Sequence, residues 1–359
     1  MTIYYVVTSG GSYSNDGLSV ENAFDTIQQA ADIVVAGDEV KLCTISDGET
    51  FTTDTFPITL ATSGTSGPGS PIQWSGANSQ GSEDGTFAVI DADGGASDNT
   101  LVIQGKYNYF QYIRILNSKG NAFYVDETND PSQCIFYRCQ SLDAATNNFS
   151  NDTPATDPGS IIWIECYSRN SGTSGFRNVT ANSILLGCVS DSDALGFFSS
   201  NNGWAIQSIV LNSSGVSVTN EKNILYCTIY NSASGTAAAF IDNIGASGVG
   251  NYVGNLFIDN TGAGINISGA NEWINLFTNG FFNNGSEING TFKGFQDDTI
   301  PLSTSPFGTA DKNNFSLDHT QGGLQSRNVG LPSAFSEGLT TSFTHLGAVV
   351  PKERRIIIG

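Results

Sequence analysis

The sequence predicts an all-β solenoid, a tube of short strands stacked turn upon turn, and three observations carry that prediction. The 359 residues are only 13% charged and rich in Gly, Ser, Asn, Thr, Val and Ile, a vocabulary of strands and tight turns rather than of long helices. Past residue 42 one short motif recurs: an alternating apolar strand, a polar bend, then a second apolar strand. Its copies follow one another at a drifting period of roughly 20 to 28 residues, as in repeats whose turns bury their apolar faces only against neighbouring turns.

One helix stands out near the start. In Ala23 to Val35 the apolar residues Ile27, Ala30, Ala31 and Val34 follow the i, i+3, i+4, i+7 spacing of an amphipathic helix, Gly37 stops it, and Asp38 to Leu42 resumes as a strand. The coil motif then appears in Tyr109–Asn117, Cys134–Ser141, Ile161–Ser168, Ser183–Ser190, Asn223–Ile229 and Asn251–Phe257. With Ile115, Cys139, Cys166, Cys188, Cys227 and Asn255 taken as equivalent, the spacings are 24, 27, 22, 39 and 28, and the 39 holds two shorter turns around a strand from Ile206 to Leu211. The division expected is a cap over 1–42, coils over 43–300 and an irregular segment over 301–359 that serves oligomerisation or docking.

Alternation assigns faces, because successive strand residues point to opposite sides. If the cysteines point inward, so do Ile113, Tyr137, Ile164, Leu186 and Leu225, with Ile135, Ile162 and Ile184 one step back. The thiols would then stack as a buried column, behaving as small hydrophobes. Disulfides remain the other reading of six cysteines, while zinc lacks its usual close Cys-x-x-Cys or Cys/His pairs, His319 and His345 lying far downstream.

The opening residues, Tyr5-Val6, Gly10-Gly11, Asn15-Asp16-Gly17, Ala23-Phe24-x-Thr26-Ile27-Gln28-x-Ala30 and Gly37-Asp38-x-Val40, resemble the start of the pectate-lyase-like, single-stranded right-handed parallel β-helix superfamily in its phage and bacterial form. The resemblance implies a right-handed parallel β-helix whose amphipathic helix caps the open end of the coil, where unpaired backbone and apolar surface would otherwise face water. It implies no single chemistry, since the superfamily holds lyases, hydrolases, epimerases, tailspikes and noncatalytic proteins.

Charge narrows the partners. Thirty-four acidic against fourteen basic side chains give a formal net charge of −20, which repels phosphate backbones and argues against nucleic acid. No apolar run of about eighteen residues exists to span a bilayer. The start, Met1-Thr-Ile-Tyr-Tyr, lacks the basic and apolar regions of a secretory signal, so the expectation is either a removed signal or synthesis in the cytoplasm and exit by another route.

Candidate site residues follow from the outward face. Tyr112, Phe136 and Trp163 are expected as an external aromatic column, with Arg114, Arg138 and Glu165 beside it and Arg169 nearby. Rings that stack on a pyranose and charges that bind hydroxyls or carboxylates suit a sugar chain. The alternative is that a segment of this chain or another subunit covers the stripe. If Trp163 is outside, Trp163→Ala leaves the thermal transition nearly unchanged.

For catalysis, the resemblance implies that a lyase would use Arg or Lys beside a uronic carboxylate commonly neutralised by calcium; Arg114, Arg138, Arg169 and Arg177 are available, with Glu165 the nearest acid. A hydrolase needs two carboxylates, and Asp191 and Asp193 would share a face about 6.6 Å apart on an extended strand, at the lower edge of the inverting geometry. Both also suit turn chemistry. Calcium is a possible cofactor at Asp91/Asp93 or around Asp143, Asp152 and Asp157, though neither cluster has the spacing of a dedicated loop and no metal ligand is assigned. The insertion from Ala144 to Ser160 is expected as a surface loop.

Two functions stay open. One is a virion-associated structural protein, a tailspike, fibre or capsid-surface protein made in the host cytoplasm, trimeric or docked on other virion proteins, with a surface that faces a cell-surface or environmental polysaccharide. The tail from Leu346 through Pro351-Lys-Glu-Arg-Arg355 resembles those of phage β-helix proteins. The other is a secreted polysaccharide lyase, or else a glycoside hydrolase, acting on an acidic polysaccharide.

Overall fold

The computed structural model describes residues 1–306 apart from 47, 53–54, 67–69, 94–98, 127–132, 153–159, 179–182, 200–202, 221, 242–248, 269–272 and 297–299. Asp157, His319, His345 and the basic tail lie outside the described residues. The chain divides into two compact units, Met1–Ile184 and Leu185–Gly359. No described helix is long and apolar enough to cross a membrane.

In the first unit three parallel sheets alternate along the chain. The first sheet runs through Ile3–Val7, Glu39–Cys43, Ile72–Ala77, Asn108–Gln111, Ile135–Tyr137 and Ile162–Ile164. The second runs through Ala88–Asp91, Ile113–Leu116, Gln140–Leu142 and Tyr167–Arg169. The third holds Ile58–Leu60, Leu101–Ile103, Phe123–Val125, Asn147–Asn151 and Ser174–Asn178. From Ile72–Ala77 onward each turn of this unit contributes one strand to each sheet, the arrangement of a parallel β-helix.

The helix is shorter than its sequence signal, Ile27–Ile33, and begins at a capping box: the Thr26 hydroxyl accepts from the Gln29 backbone while the Gln29 side chain reaches back to Thr26. Its buried residues Ile27, Ala30 and Ala31, with Val34 just beyond, are those the spacing predicts. It packs on Ile3–Val7 and Ile58–Leu60, the first strands of two sheets. There the Gln28 amide accepts from Thr59 N (2.8 Å) and donates to Thr59 O (3.2 Å), pairing edge groups that have no preceding strand.

The second unit repeats the plan. Its first sheet includes Trp204–Ile206, Asn223–Leu225, Val249–Val253 and Trp273–Phe277. Its second holds Val189–Asp191, Ile209–Leu211, Thr228–Tyr230, Leu256–Ile258, Gly280–Phe282 and Ile300–Pro301. Its third holds Leu195–Ser199, Val218–Thr219, Ala237–Ile241, Ala263–Ile267 and Ser286–Gly290. The turn expected inside the spacing of 39 is present, its strands being Trp204–Ile206 and Ile209–Leu211.

A paired corner recurs in eight turns. A residue with positive φ ends the first-sheet strand, and another follows five residues later: Tyr112 and Asn117, Arg138 and Asp143, Glu165 and Asn170 in the first unit; Gly187 and Ser192, Gln207 and Asn212, Tyr226 and Asn231, Gly254 and Asp259, Thr278 and Asn283 after it. At Gly254 the requirement is also spatial, since a Cβ would stand 2.5 Å from the Tyr226 ring.

These corners break the strand alternation and correct the predicted faces. All six cysteines are buried and in no disulfide, so the thiols of Cys139, Cys166, Cys188 and Cys227 are inside the wall as expected. Between Cys139 and the strand before it, however, lies the corner at Arg138, so the preceding inward residue is Phe136, three positions back, and not Tyr137. Phe136 and Trp163 are therefore core, 0% and 1% exposed, and not external. They continue an interior stack, Phe110 to Phe136 at 4.8 Å and Phe136 to Trp163 at 6.2 Å, beside a second stack of Phe123, Phe149 and Phe176 at 4.9 and 4.7 Å. Ile135, Tyr137, Ile162, Ile164, Leu186 and Leu225, expected inside, are partly exposed or exposed. Ile113, expected inside, is 1% exposed, but pairing makes it, rather than Ile115, the counterpart of Cys139.

Candidate functional site

With Val40, Trp74, Phe110, Phe136 and Trp163 buried at 0–2%, pairing sets two outward rows on the first sheet of the first unit. One row is Glu39, Gln73, Tyr109, Ile135 and Ile162; the other is Lys41, Ser75, Gln111, Tyr137 and Ile164. At the corner beside them stand Tyr112, Arg138 and Glu165, whose left-handed backbone turns their side chains out along the edge of the same face. Nearest neighbours in a column are about 4.8 Å apart, close to the length of one sugar residue.

Two polar groups occupy this face. At one end the segment between Ala77 and Ala88 brings Glu83 over the sheet, where its carboxylate accepts from Ser75 Oγ (2.8 Å) and Gln111 Nε2 (2.7 Å). Lys41 Nζ lies 3.7 Å from Glu39 and 3.9 Å from Glu83, and donates to Gly81 O at 3.1 Å. Burial, reinforced by a hydrogen bond with Glu83, pushes the Glu39 carboxyl up from 4.5 to about 7. Glu83 moves down, because hydrogen bonds from Glu39 and Ser75 and the Lys41 charge outweigh its own burial. Burial thus favours the protonated form of Glu39 well above the usual carboxylate range.

At the other end Arg138 Nε donates to Glu165 Oε2 at 2.7 Å, Nη1 donates to the Tyr112 hydroxyl at 3.1 Å, and the guanidinium lies 5.1 Å from the Tyr137 ring centroid. The Glu165 hydrogen bond, ahead of the Tyr112 one, raises the Arg138 pKa against the effect of burial. Tyr112 meets both Tyr137 and Phe87 edge to face. Arg114 lies 4.9 Å over Phe87 and donates to Gln140 at 2.8 Å. Between the two groups Tyr109 donates to Gln111 at 3.3 Å, and burial and then the neighbouring Tyr137 push the Tyr109 hydroxyl up to about 12.

The structure thus brings together Tyr112, Arg114, Arg138 and Glu165 and removes Phe136 and Trp163 to the core. Arg169 pairs with Asp143 at 3.7 Å, and Arg177 pairs with Asp152. Asp191 and Asp193 do not share an open face: Asp193 is fully buried and accepts from Ser190, and Asp191, 4% exposed, accepts from Ser192 and Asn212. The corner at Ser192 separates them. The Ala144–Ser160 insertion is not wholly loop, since Asn147–Asn151 is a third-sheet strand; positions 153–159 lie outside the described residues.

Among the described residues no group of three or more His, Cys, Asp or Glu gathers; Asp91 accepts from Asn117 and Asp152 is paired with Arg177.

Glu39, Lys41 and Glu83 escaped the sequence reading. Glu39 and Lys41 had a signal, the alternation of Glu39-Val40-Lys41-Leu42 that puts both charges on one face of a strand. Glu83 had none, because it arrives on a connecting segment.

No family model and no curated protein matches this sequence. Among solved structures, the chain resembles pectate lyase Pel9A with a TM-score of 0.55 and 15% identity, over 97% of this chain and 96% of that one. It also resembles the GH136 lacto-N-biosidase from Eubacterium ramulus, with a TM-score of 0.55 and 11% identity over 84% of this chain and 68% of that one. At such identities the likeness is one of fold: the chain is a right-handed parallel β-helix.

Proposed function

We propose that the protein binds a polysaccharide along the outer face of the first unit, as a display protein on a particle or cell surface. The observation that carries this reading is the in-register face itself, where Tyr109, Gln111, Tyr137, Tyr112, Arg138 and Glu165 offer ring edges, phenols, an amide and a bidentate-capable cation along three neighbouring turns. Such a surface suits a ligand of apolar ring faces and many hydroxyls. Binding is favoured over catalysis at Arg138, because an arginine held by Glu165 is a poor base.

The setting we propose is a virion tailspike, fibre or capsid-surface protein, assembled as a homotrimer. Six free, buried thiols suit synthesis in a reducing cytoplasm. Self-association is supported by the outer face of the second unit, where Val249 and Trp273 pair side by side at 46% and 54% exposure and Trp204 is 39% exposed. Light scattering of the purified protein reads this directly, and a monomer at every concentration contradicts it.

A second reading, a polysaccharide lyase, is supported by one arrangement: Glu39 and Glu83 flank Lys41 Nζ at 3.7 and 3.9 Å, and burial pushes the Glu39 carboxyl up to about 7, where it can exchange a proton near neutral pH.

A glycan array read with the parent and with Arg138→Ala tests the main proposal. Binding by the parent that falls at least about tenfold in the variant, or about 1.4 kcal/mol, is expected; equal binding by both contradicts it. Ultraviolet absorbance of unsaturated product and reducing ends, measured with Glu39→Gln alongside, decides the second reading.

A further inference from the structure

We propose that the glycan taken by this face is uncharged, a neutral polysaccharide rather than a polyuronate; the inference rests on the binding reading above and adds its substrate class. The charges on the face are already spent on one another. Arg138 Nε is 2.7 Å from Glu165, and Lys41 Nζ is 3.7 Å from Glu39 and 3.9 Å from Glu83. Arg114, the remaining cation of the set, lies over Phe87 and is tied to the Gln140 amide.

A sugar carboxylate arriving here would have to draw a guanidinium or ammonium away from a carboxylate that stays behind on the same surface, so it would exchange one ion pair for another and leave an acid unmatched. The long-range field gives no help, since the chain carries a formal net charge of −20 and a polyanion is repelled before contact. A neutral sugar meets neither cost. Its hydroxyls can donate to Glu165 and accept from Arg138, whose side chain is 42% exposed while paired, and can bond the Gln111 and Gln73 amides and the Tyr137 hydroxyl. Its ring faces can lie on the partly exposed Ile135, Ile162 and Tyr137.

Calorimetric titration with two sets of oligosaccharides separates the possibilities: neutral chains (galactan, xylan, glucan and mannan) and uronate chains (polygalacturonate and alginate), each at low and high salt. The expected result is binding of a neutral chain with an affinity that changes less than about twofold with salt, because no net charge is neutralised, and that is lost in Tyr137→Ala. In a second arm, Glu165→Gln frees Arg138 and is expected to raise affinity for oligogalacturonate by about tenfold at low salt. Binding confined to uronate chains and weakened by salt overturns the neutral-glycan inference while leaving the binding reading standing. A failure of Glu165→Gln to improve uronate binding overturns the argument that Glu165 is what excludes it. Binding of neither set overturns the binding reading itself.

Discussion

Trp163 is 1% exposed and continues the stack of Phe110 and Phe136. Trp163→Ala should therefore cost about 3–5 kcal/mol, the range for an aromatic deleted from a core, seen as a large fall in the thermal midpoint; an unchanged midpoint would put the ring outside the wall. Glu39 makes a different residue-scale prediction. Its carboxyl is raised from 4.5 to about 7, so below pH 4.5 the proton is held in folded and unfolded chains alike. From there to about pH 7 the unfolded chain ionises first and stability declines, and above pH 7 the loss is complete. Glu39→Gln removes that ionisation and keeps a donor for Glu83. Above pH 7 the variant should be more stable than the parent by about 1–2 kcal/mol, and denaturant midpoints measured across pH should converge below pH 4.5.

At the scale of the element, the paired corner organises the turns from Tyr112 onward. The residue after it points inward, and in the second unit it carries a ladder of side chains: Asn255 donates to Asn279 Oδ1 and Ile224 O at 2.9 Å each and accepts from Cys227 N at 2.8 Å. Asn260 plays the same part five residues on, joined to Asn284 at 2.7 Å and to Ser232 N at 2.9 Å. Asn255 is fully buried, so Asn255→Ala should strand several partners at once. It should cost about 3 kcal/mol in a denaturation curve, whereas a change below about 0.5 kcal/mol would mean the ladder adds nothing.

The same corner explains what could be read from sequence. The helix was legible because its spacing is a local property, and the inward thiols because cysteine suits a dry, tightly packed position. The aromatic column was misplaced because alternation fails across one left-handed residue, and Tyr112, Arg138, Glu165 and Thr278 are not residue types that announce positive φ. The second corner is more legible, with Asn117, Asp143, Asn170, Asn212, Asn231, Asp259 and Asn283 all at positive φ. Counting back five residues from each would have located the first corner and moved Phe136 and Trp163 to the interior. Glu83 lay beyond such reasoning, since its position over the sheet depends on how a connecting segment folds.

At the scale of the whole molecule, a strongly acidic chain presents one outer face whose charges cancel locally and, in its second unit, another with exposed Trp204, Val249 and Trp273. The first is proposed for the sugar and the second for another copy of the chain. Hydroxyl-radical footprinting with and without a bound oligosaccharide tests that assignment most directly. Protection at Tyr112 and Tyr137 with Trp204 and Trp273 unchanged is expected; protection at the two tryptophans with Tyr112 and Tyr137 unchanged would contradict sugar binding on the first face.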